Sequence, residues 1–381
     1  MKKIGKDTLI LKTGPKNPRN GESTFIRLKD GSILLVYSQY CGDDPWDDGT
    51  ARLAACRSED EGKTWSAPWV IVEKDPEAQN YMSPSLIRLP NGELGMTYLR
   101  KAFLSEKVLE CMPVFRYSAD EGRTWSDYRF CTPVHGYYCG VNDCAIVTKA
   151  GRILYPASDH GPGAHTETGS IHWPEYPGGV VRVFFSDDSG RTWDTLPGPI
   201  SSPYPDAAGF AEPGIFELED GTLWVWMRST YGHQYQSISK DGGKTWSPAS
   251  PAFRFTSADS PMRVKPAGGH AVAVFNPQAF SCLYTAGEIW KSPKRTPLVC
   301  AVSRDSGASF AREYETFVNG GLLDFAACCY MLEDDPKESF CYPAVIETKD
   351  GFLVTYYYSG GNDRCLNWTK VKKVLWEELE A

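Results

Sequence analysis

Four places in the 381-residue chain carry side chains whose types could do chemistry. Glu212 precedes Pro213 where an apolar strand, AEPGIFEL, begins, and an unpaired carboxylate there serves no packing purpose. Arg228 closes the apolar run WVWMR, where burying a guanidinium without an anion is costly. Tyr342 opens YPAVIETKDG, and CGDDPWDD gathers Asp43, Asp44, Asp47 and Asp48. A phenol, with a pKa of about 10, is nearly inert at neutral pH until a base shares its proton, so a tyrosine beside a carboxylate makes a nucleophile and its base. Guanidinium groups hold anions bidentately. Clustered aspartates raise one another's pKa, as a general acid requires. Each feature also has an ordinary reading: Tyr342 is one of 20 tyrosines, and an acidic run is most often a solvated face.

Composition narrows the classes. With 23% charged, 41% hydrophobic and 13% aromatic residues the chain is globular, and collagen, coiled-coil and low-complexity readings are excluded. Forty basic against 48 acidic side chains give a formal charge of -8 with no basic tract, so nucleic acid is not an expected partner. No apolar run of membrane-spanning length occurs, and MKKIGKDTLILKTGPKNPRN lacks a signal-peptide core, so no membrane partner and a cytoplasmic location are expected. Twelve cysteines are thinly spread, without a CxxC pair, and are expected as free thiols packed as small apolar residues. His160, His165 and His172 are irregularly spaced on a loop, which points to hydrogen bonding rather than ligation. Neither a metal nor a cofactor is expected.

What must position these residues is a repeat. SEDEGKTW (58–65), SADEGRTW (118–125), SDDSGRTW (186–193), SKDGGKTW (239–246) and SRDSGASF (303–310) share the pattern S-x-D-x-G-x-x-W/F. It reads as a hairpin turn whose aspartate accepts backbone N–H bonds and whose glycine takes a positive φ, with the closing aromatic packed between neighbouring units. Between the copies run six further hairpins, each an apolar strand, a glycine-containing turn and another apolar strand, from FIRLKDGSILLVYS to VIETKDGFLVTYYYS. Each hairpin plus the strand pair around the following turn makes a four-stranded unit. The expectation is an all-β, six-bladed β-propeller of antiparallel blades, one domain over residues 1–381. The last unit lacks the repeated turn, so one of its strands is expected from the other terminus, at DTLILK (7–12).

These turns are the Asp boxes of the sialidase (neuraminidase) superfamily, and the chain resembles a sialidase-like propeller over essentially its full length. The resemblance implies a catalytic set. Family sialidases place a glutamate before a strand-turn-strand and an arginine at its end, which maps to Glu212 and Arg228, sixteen residues apart. A further arginine maps to Arg295, eight residues before Ser303, and the nucleophilic tyrosine to Tyr342, eight before Asp350. The acid lies on the loop before the first Asp box, at Asp48 or Asp47, with Asp44 as another choice. Sialidases depart from the two-carboxylate scheme of other glycosidases, because a neutral phenol approaches a sugar carboxylate with less repulsion than an anion does.

The chain departs from the family at the first arginine. Where members begin with Phe/Tyr-Arg-Ile-Pro, this sequence reads NPRNGESTFIRLKDG, with Glu22 near the expected position and Arg19 upstream. Arg100 and Lys101 are alternative sources of positive charge. By the same blade arithmetic Asn142, Asp143, Ser158, Asp159, His160, Ser260 and Arg263 face the channel as substrate contacts, with His233 at the rim. Tyr137, Tyr138, Trp173, Tyr231 and Tyr235 are candidate sugar platforms. The expected function is an exo-acting glycoside hydrolase, retaining through tyrosine, on sialic acid or a related anionic or keto-deoxy sugar of a small oligosaccharide. A polysaccharide lyase using Tyr342 and His160 on uronate glycans, and a non-catalytic glycan-binding propeller, are the competing readings. Oligomeric state is not legible.

Overall fold

A computed structural model of the chain describes residues 1–167, 170–172, 178–204, 209–277, 295–311, 328–360 and 365–380. Each of the six hairpins forms as an antiparallel pair, for example Asn20–Arg27 with Ile33–Tyr40 and Ala211–Glu217 with Leu223–Arg228. Third and fourth strands then flank the repeated turn, as Ala51–Ser58 and Trp69–Val72 do in the first unit.

The Asp box works through three side chains. The Ser118 hydroxyl donates to Asp120 at 2.8 Å and accepts from the Gly122 amide at 2.8 Å, while Asp120 accepts from the Thr124 amide and hydroxyl at 2.8 and 2.7 Å. Those Thr124 bonds hold the Asp120 carboxyl at about 2. The same bonds recur around Asp60, Asp188 and Asp241. The glycine has a second duty beyond its positive φ. At Gly190 (φ 80°) an added Cβ would stand 2.0 Å from the Phe115 ring of the preceding unit.

The apolar core is a series of layers between neighbouring units. Trp125 packs where the first and second units meet, Trp193 between second and third, Trp246 between third and fourth, and Phe310 between fourth and fifth. Trp65 packs where the last unit meets the first. The last unit has no Asp box, and Trp376 fills the corresponding place against Phe352 and His270. Burying a large apolar side chain contributes roughly 1.5–3 kcal/mol, so these layers carry the stability.

The inner strands follow one another around an axis, and Phe340–Thr348 packs back against Asn20–Arg27 to close the ring. As expected from the N-terminal strand pattern, Lys6–Leu11 adds antiparallel to Trp368–Leu375 and completes the last sheet. Lys370 and Lys372 secure this seam on Asp7 (both 3.2 Å) and Glu333 (2.9 and 3.3 Å). Among the described residues the strands fall into five sheets rather than six: three of four strands, one of five and one of ten. The ten-stranded sheet consists of the first two units, joined only at Ala51↔Asn80, with a hairpin from the third unit, Ala164–Glu167 and Ser170–His172, on its far edge. No helix among the described residues is long and apolar enough to cross a membrane.

Candidate active site

One backbone feature builds the site. At the start of the inner strand of each unit a non-glycine residue sits at positive φ: Glu22, Ser83, Asp143, Glu212, Asp259 and Tyr342, between 32° and 57°. In four of them the hairpin register slips at that residue, as a bulge does. Left-handed backbone is unfavourable for such residues and is found where the surroundings enforce it, often at functional sites. Here it turns side chains that would otherwise alternate between sheet faces.

Three of these units deliver one hydrogen-bonded cluster. The Tyr342 hydroxyl donates to Glu212 Oε1 at 2.5 Å, and Arg228 Nη1 donates to Glu212 Oε2 at 2.5 Å. The Ala211↔Arg228 register sets that second contact. Arg228 Nε also donates to Asp259 Oδ1 at 2.8 Å. Arg295 donates to the Asp259 carbonyl at 2.8 Å and to Cys341 Sγ at 3.3 Å, with its guanidinium 5.7 Å from the Tyr342 ring centre. Burial, then the Glu212 carboxylate, push the Tyr342 hydroxyl far above a phenol's ordinary value. Tyr342 is therefore a neutral phenol hydrogen-bonded to a carboxylate. Burial opposes the Arg228 charge, but Asp259 and Glu212 more than offset it.

The opposite wall holds the departure from the family pattern. Arg19, buried, donates to Asp47 Oδ1 at 2.6 Å and to the Tyr357 hydroxyl at 2.8 Å, and its guanidinium lies 4.6 Å from the Tyr40 ring centre. Tyr357 in turn packs on Tyr342, ring centres 5.0 Å apart. Glu22 is buried, bonded to the Ser83 hydroxyl, with Arg19 Nη2 3.9 Å from its other oxygen. Burial pushes its carboxyl up to about 7 against the pull of Arg19 and Ser83. Lys101 donates to the Asp47 carbonyl at 2.9 Å.

Asp47 corrects an expectation. Its side chain is 54% exposed, and its acidic neighbours were expected to raise its pKa. Burial does act upward, but Arg19, Lys101 and Arg295 outweigh it and hold the carboxyl at about 2. Asp48 accepts from Gln79 through its carbonyl at 2.6 Å. The cations facing the loop, invisible in its local sequence, decide the charge.

Other expected contacts lie elsewhere. Asn142 and Asp143 are buried beneath the cluster: Asn142 donates to the Ser23 and Tyr342 carbonyls at 2.6 and 3.1 Å, and Asp143 accepts from Thr24 at 2.9 Å and pairs with Lys265 at 3.1 Å. Arg263, buried, donates to the Asn142 carbonyl at 2.7 Å. These three tie units across the axis as the floor of the site. Arg100 points to the opposite strand face from Lys101 and is committed to Asp75 at 2.9 and 3.0 Å. His160 is buried, and burial lowers it to about 4, while the Tyr342 hydroxyl is committed to Glu212. Tyr138 and Tyr235 are core residues, with Tyr231 packed on Tyr235. Trp173 lies outside the described residues, as do the side chains of His165 and His172.

Sequence reasoning missed Asp259, Ser83 and Tyr357. The first two could have been found by aligning the six hairpin starts, where each stands in the place of Tyr342. Tyr357 carried no local signal.

The sequence pattern of the BNR repeat-like domain matches residues 82–355. The chain belongs to the BNR repeat-like domain family. Solved structures share the fold of this BNR repeat-like protein. A Dyadobacter fermentans protein of unknown function is 16% identical with a TM-score of 0.68, over 97% of this chain and 99% of that one. The intramolecular trans-sialidase from Ruminococcus gnavus, in complex with oseltamivir carboxylate, is 14% identical with a TM-score of 0.67, over 96% of both chains. A mutant of the NanB sialidase from Streptococcus pneumoniae is 13% identical with a TM-score of 0.67, over 98% of this chain and 71% of that one. At these identities the likeness is one of fold. No curated protein sequence matches the chain significantly.

Proposed function

We propose that this BNR repeat-like chain is a six-bladed propeller and a sialidase-like exo-glycoside hydrolase that retains anomeric configuration, acting on sialic acid or a related anionic or keto-deoxy sugar of a small oligosaccharide. The blade count follows if the ten-stranded sheet is taken as two blades, since one residue pair joins its halves. The observation that carries the activity is the 2.5 Å hydrogen bond from Tyr342 to Glu212, between residues 130 apart in the chain, beside two arginines.

The chemistry follows from that contact. Tyr342 Oη attacks the anomeric carbon while Glu212 takes the phenol proton, and the glycosidic bond breaks as its oxygen is protonated. Arg228 and Arg295 hold the sugar carboxylate. Water, giving a proton to the loop aspartate that protonated the leaving oxygen, then displaces Tyr342 from the anomeric carbon, and the proton on Glu212 returns to the phenolate. The proton for the leaving oxygen comes from the acidic loop, at Asp47 or Asp48. Because Arg19 keeps Asp47 ionised, turnover through Asp47 rises toward acidic pH.

The test is product analysis by mass spectrometry with sialosides, other keto-deoxy glycosides, uronate-ended oligosaccharides and neutral glycosides. Release of a hydrated sugar, lost in Tyr342→Phe, supports the reading. An unsaturated, ultraviolet-absorbing product points to a lyase, and saturable binding without product to a glycan-binding propeller.

A further inference from the structure

We propose that Glu22 is a specificity-determining residue: it meets the carboxylate of the sugar as a neutral carboxylic acid that donates a hydrogen bond, so the anion is admitted by the form of the protein in which Glu22 is protonated. The inference rests on the glycosidase reading above and names the group that admits its substrate.

Geometry places Glu22 in the site. In the first unit it holds the inner-strand position that Glu212, Asp259 and Tyr342 hold in theirs, with the same left-handed backbone. It is 3% exposed, and one carboxyl oxygen is taken by Ser83. The nearest cation, Arg19, stands at 3.9 Å, outside hydrogen-bond reach, and gives its close contacts to Asp47 at 2.6 Å and Tyr357 at 2.8 Å. The groups facing Glu22 are Arg19 from its own unit, Tyr40 and Asp47 from the adjoining strand and loop, Ser83 and Cys111 from the second unit, Glu212 from the fourth and Tyr357 from the last.

Charge counting gives the consequence. The site holds Arg19, Lys101, Arg228 and Arg295 against Asp47, Glu212, Asp259 and Glu22. With Glu22 neutral the balance is one positive charge, which an anionic sugar neutralises. With Glu22 ionised the balance is zero and a carboxylate faces the incoming anion. Burial, Asp47 and Glu212 favour the neutral acid up to about 7, and a bound anion favours it further. An acid donating to a carboxylate is a short, charge-assisted hydrogen bond, which substitutes for the missing arginine.

The experiment is calorimetric titration with DANA, the carboxylate-bearing inhibitor found with Trypanosoma rangeli sialidase, from pH 5.5 to 8.5, on the wild type, Glu22→Gln and Ser83→Ala. Wild-type affinity is expected to fall roughly tenfold per pH unit above the Glu22 midpoint, as one linked proton requires. Glu22→Gln is expected to lose that slope, and Ser83→Ala to move the midpoint up, because the hydroxyl favours the carboxylate. Carbon NMR of labelled glutamate, compared with Glu22→Gln, locates the midpoint without a ligand. Titration in the ordinary carboxylate range, or parallel binding profiles for wild type and Glu22→Gln, overturns the role of Glu22 alone. Absence of DANA binding by every form at every pH refutes the anionic-sugar reading and this inference with it.

Discussion

Arg19 Nη1 and Asp47 Oδ1 stand 2.6 Å apart, joining the segment before the first inner strand to the acidic loop at the mouth. The pair sets the sign of one pH effect. Asp47 is held below its ordinary value, so its share of stability is present above that value and is lost as pH falls toward about 2. Arg19→Met removes its largest part and leaves that of Lys101 and Arg295. The variant is expected to lose about 1 kcal/mol near pH 6, a charged hydrogen bond discounted because Asp47 is half exposed to solvent, with the gap to wild type closing toward pH 2 in urea denaturation. A pH-independent gap would show that Arg19 acts by packing alone.

Tyr342→Phe and Glu212→Ala each remove one end of the proposed nucleophile contact. Turnover is expected to drop by at least about 1,000-fold in each. The melting temperature of Tyr342→Phe is expected to move by only a few degrees, since one hydrogen bond to a charged group is lost. Full activity in either variant sinks the proposed mechanism.

Arg228 bridges Glu212 and Asp259, so Arg228→Ala leaves two carboxylates without the cation between them, with Arg295 beside Asp259. A loss of about 3–5 kcal/mol is expected, the range for breaking a buried ion pair. Asp259→Asn keeps the shape and the Glu212 contact and is expected to cost less while raising KM more than it lowers kcat. Chemical denaturation and steady-state kinetics separate the two.

Two buried groups bend the stability curve from opposite sides. Glu22 is raised to about 7, so the folded chain holds more protons than the unfolded one above the ordinary carboxylate range, and stability falls as pH rises toward 7. His160 is lowered to about 4, so stability falls as pH drops from the ordinary histidine value toward 4. Glu22→Gln is expected to flatten the neutral side of a melting-temperature profile and leave the acidic side intact. An unchanged neutral side contradicts the buried proton.

Gly190→Ala tests the layer between units. The new methyl meets the Phe115 ring at 2.0 Å on a backbone with φ of 80°. Overpacking and left-handed strain together are expected to cost about 3 kcal/mol, read as a lower urea midpoint. A change below 0.5 kcal/mol, the usual surface effect, means the layer yields.

The local rules of this fold were legible in the residues. Five S-x-D-x-G turns and six glycine hairpins depend on side chains within a few residues of each other, and the structure forms them, including the N-terminal strand that completes the last sheet. Glu212 and Arg228 were readable because one hairpin register joins them. Asp47 was misread because its charge is governed by Arg19, Lys101 and Arg295, which its own loop does not contain. Asn142, Asp143 and Arg263 were placed at the right height along the strands but not on the right side, since the turn of each inner strand decides whether a side chain lines the cup or its floor.

The sequence by itself determined the repeat, the hairpins and the types of residue at each inner strand, because turns and strand periodicity are written in neighbouring positions. Only the tertiary structure decided which of those residues meet. Tyr342 reaches Glu212 across 130 residues, and Arg19 reaches Tyr357 across 338, because the ring closes and brings the ends of separate units to one axis. Proton affinities at such a site depend on distance through space and on burial, and neither is a property of a linear pattern.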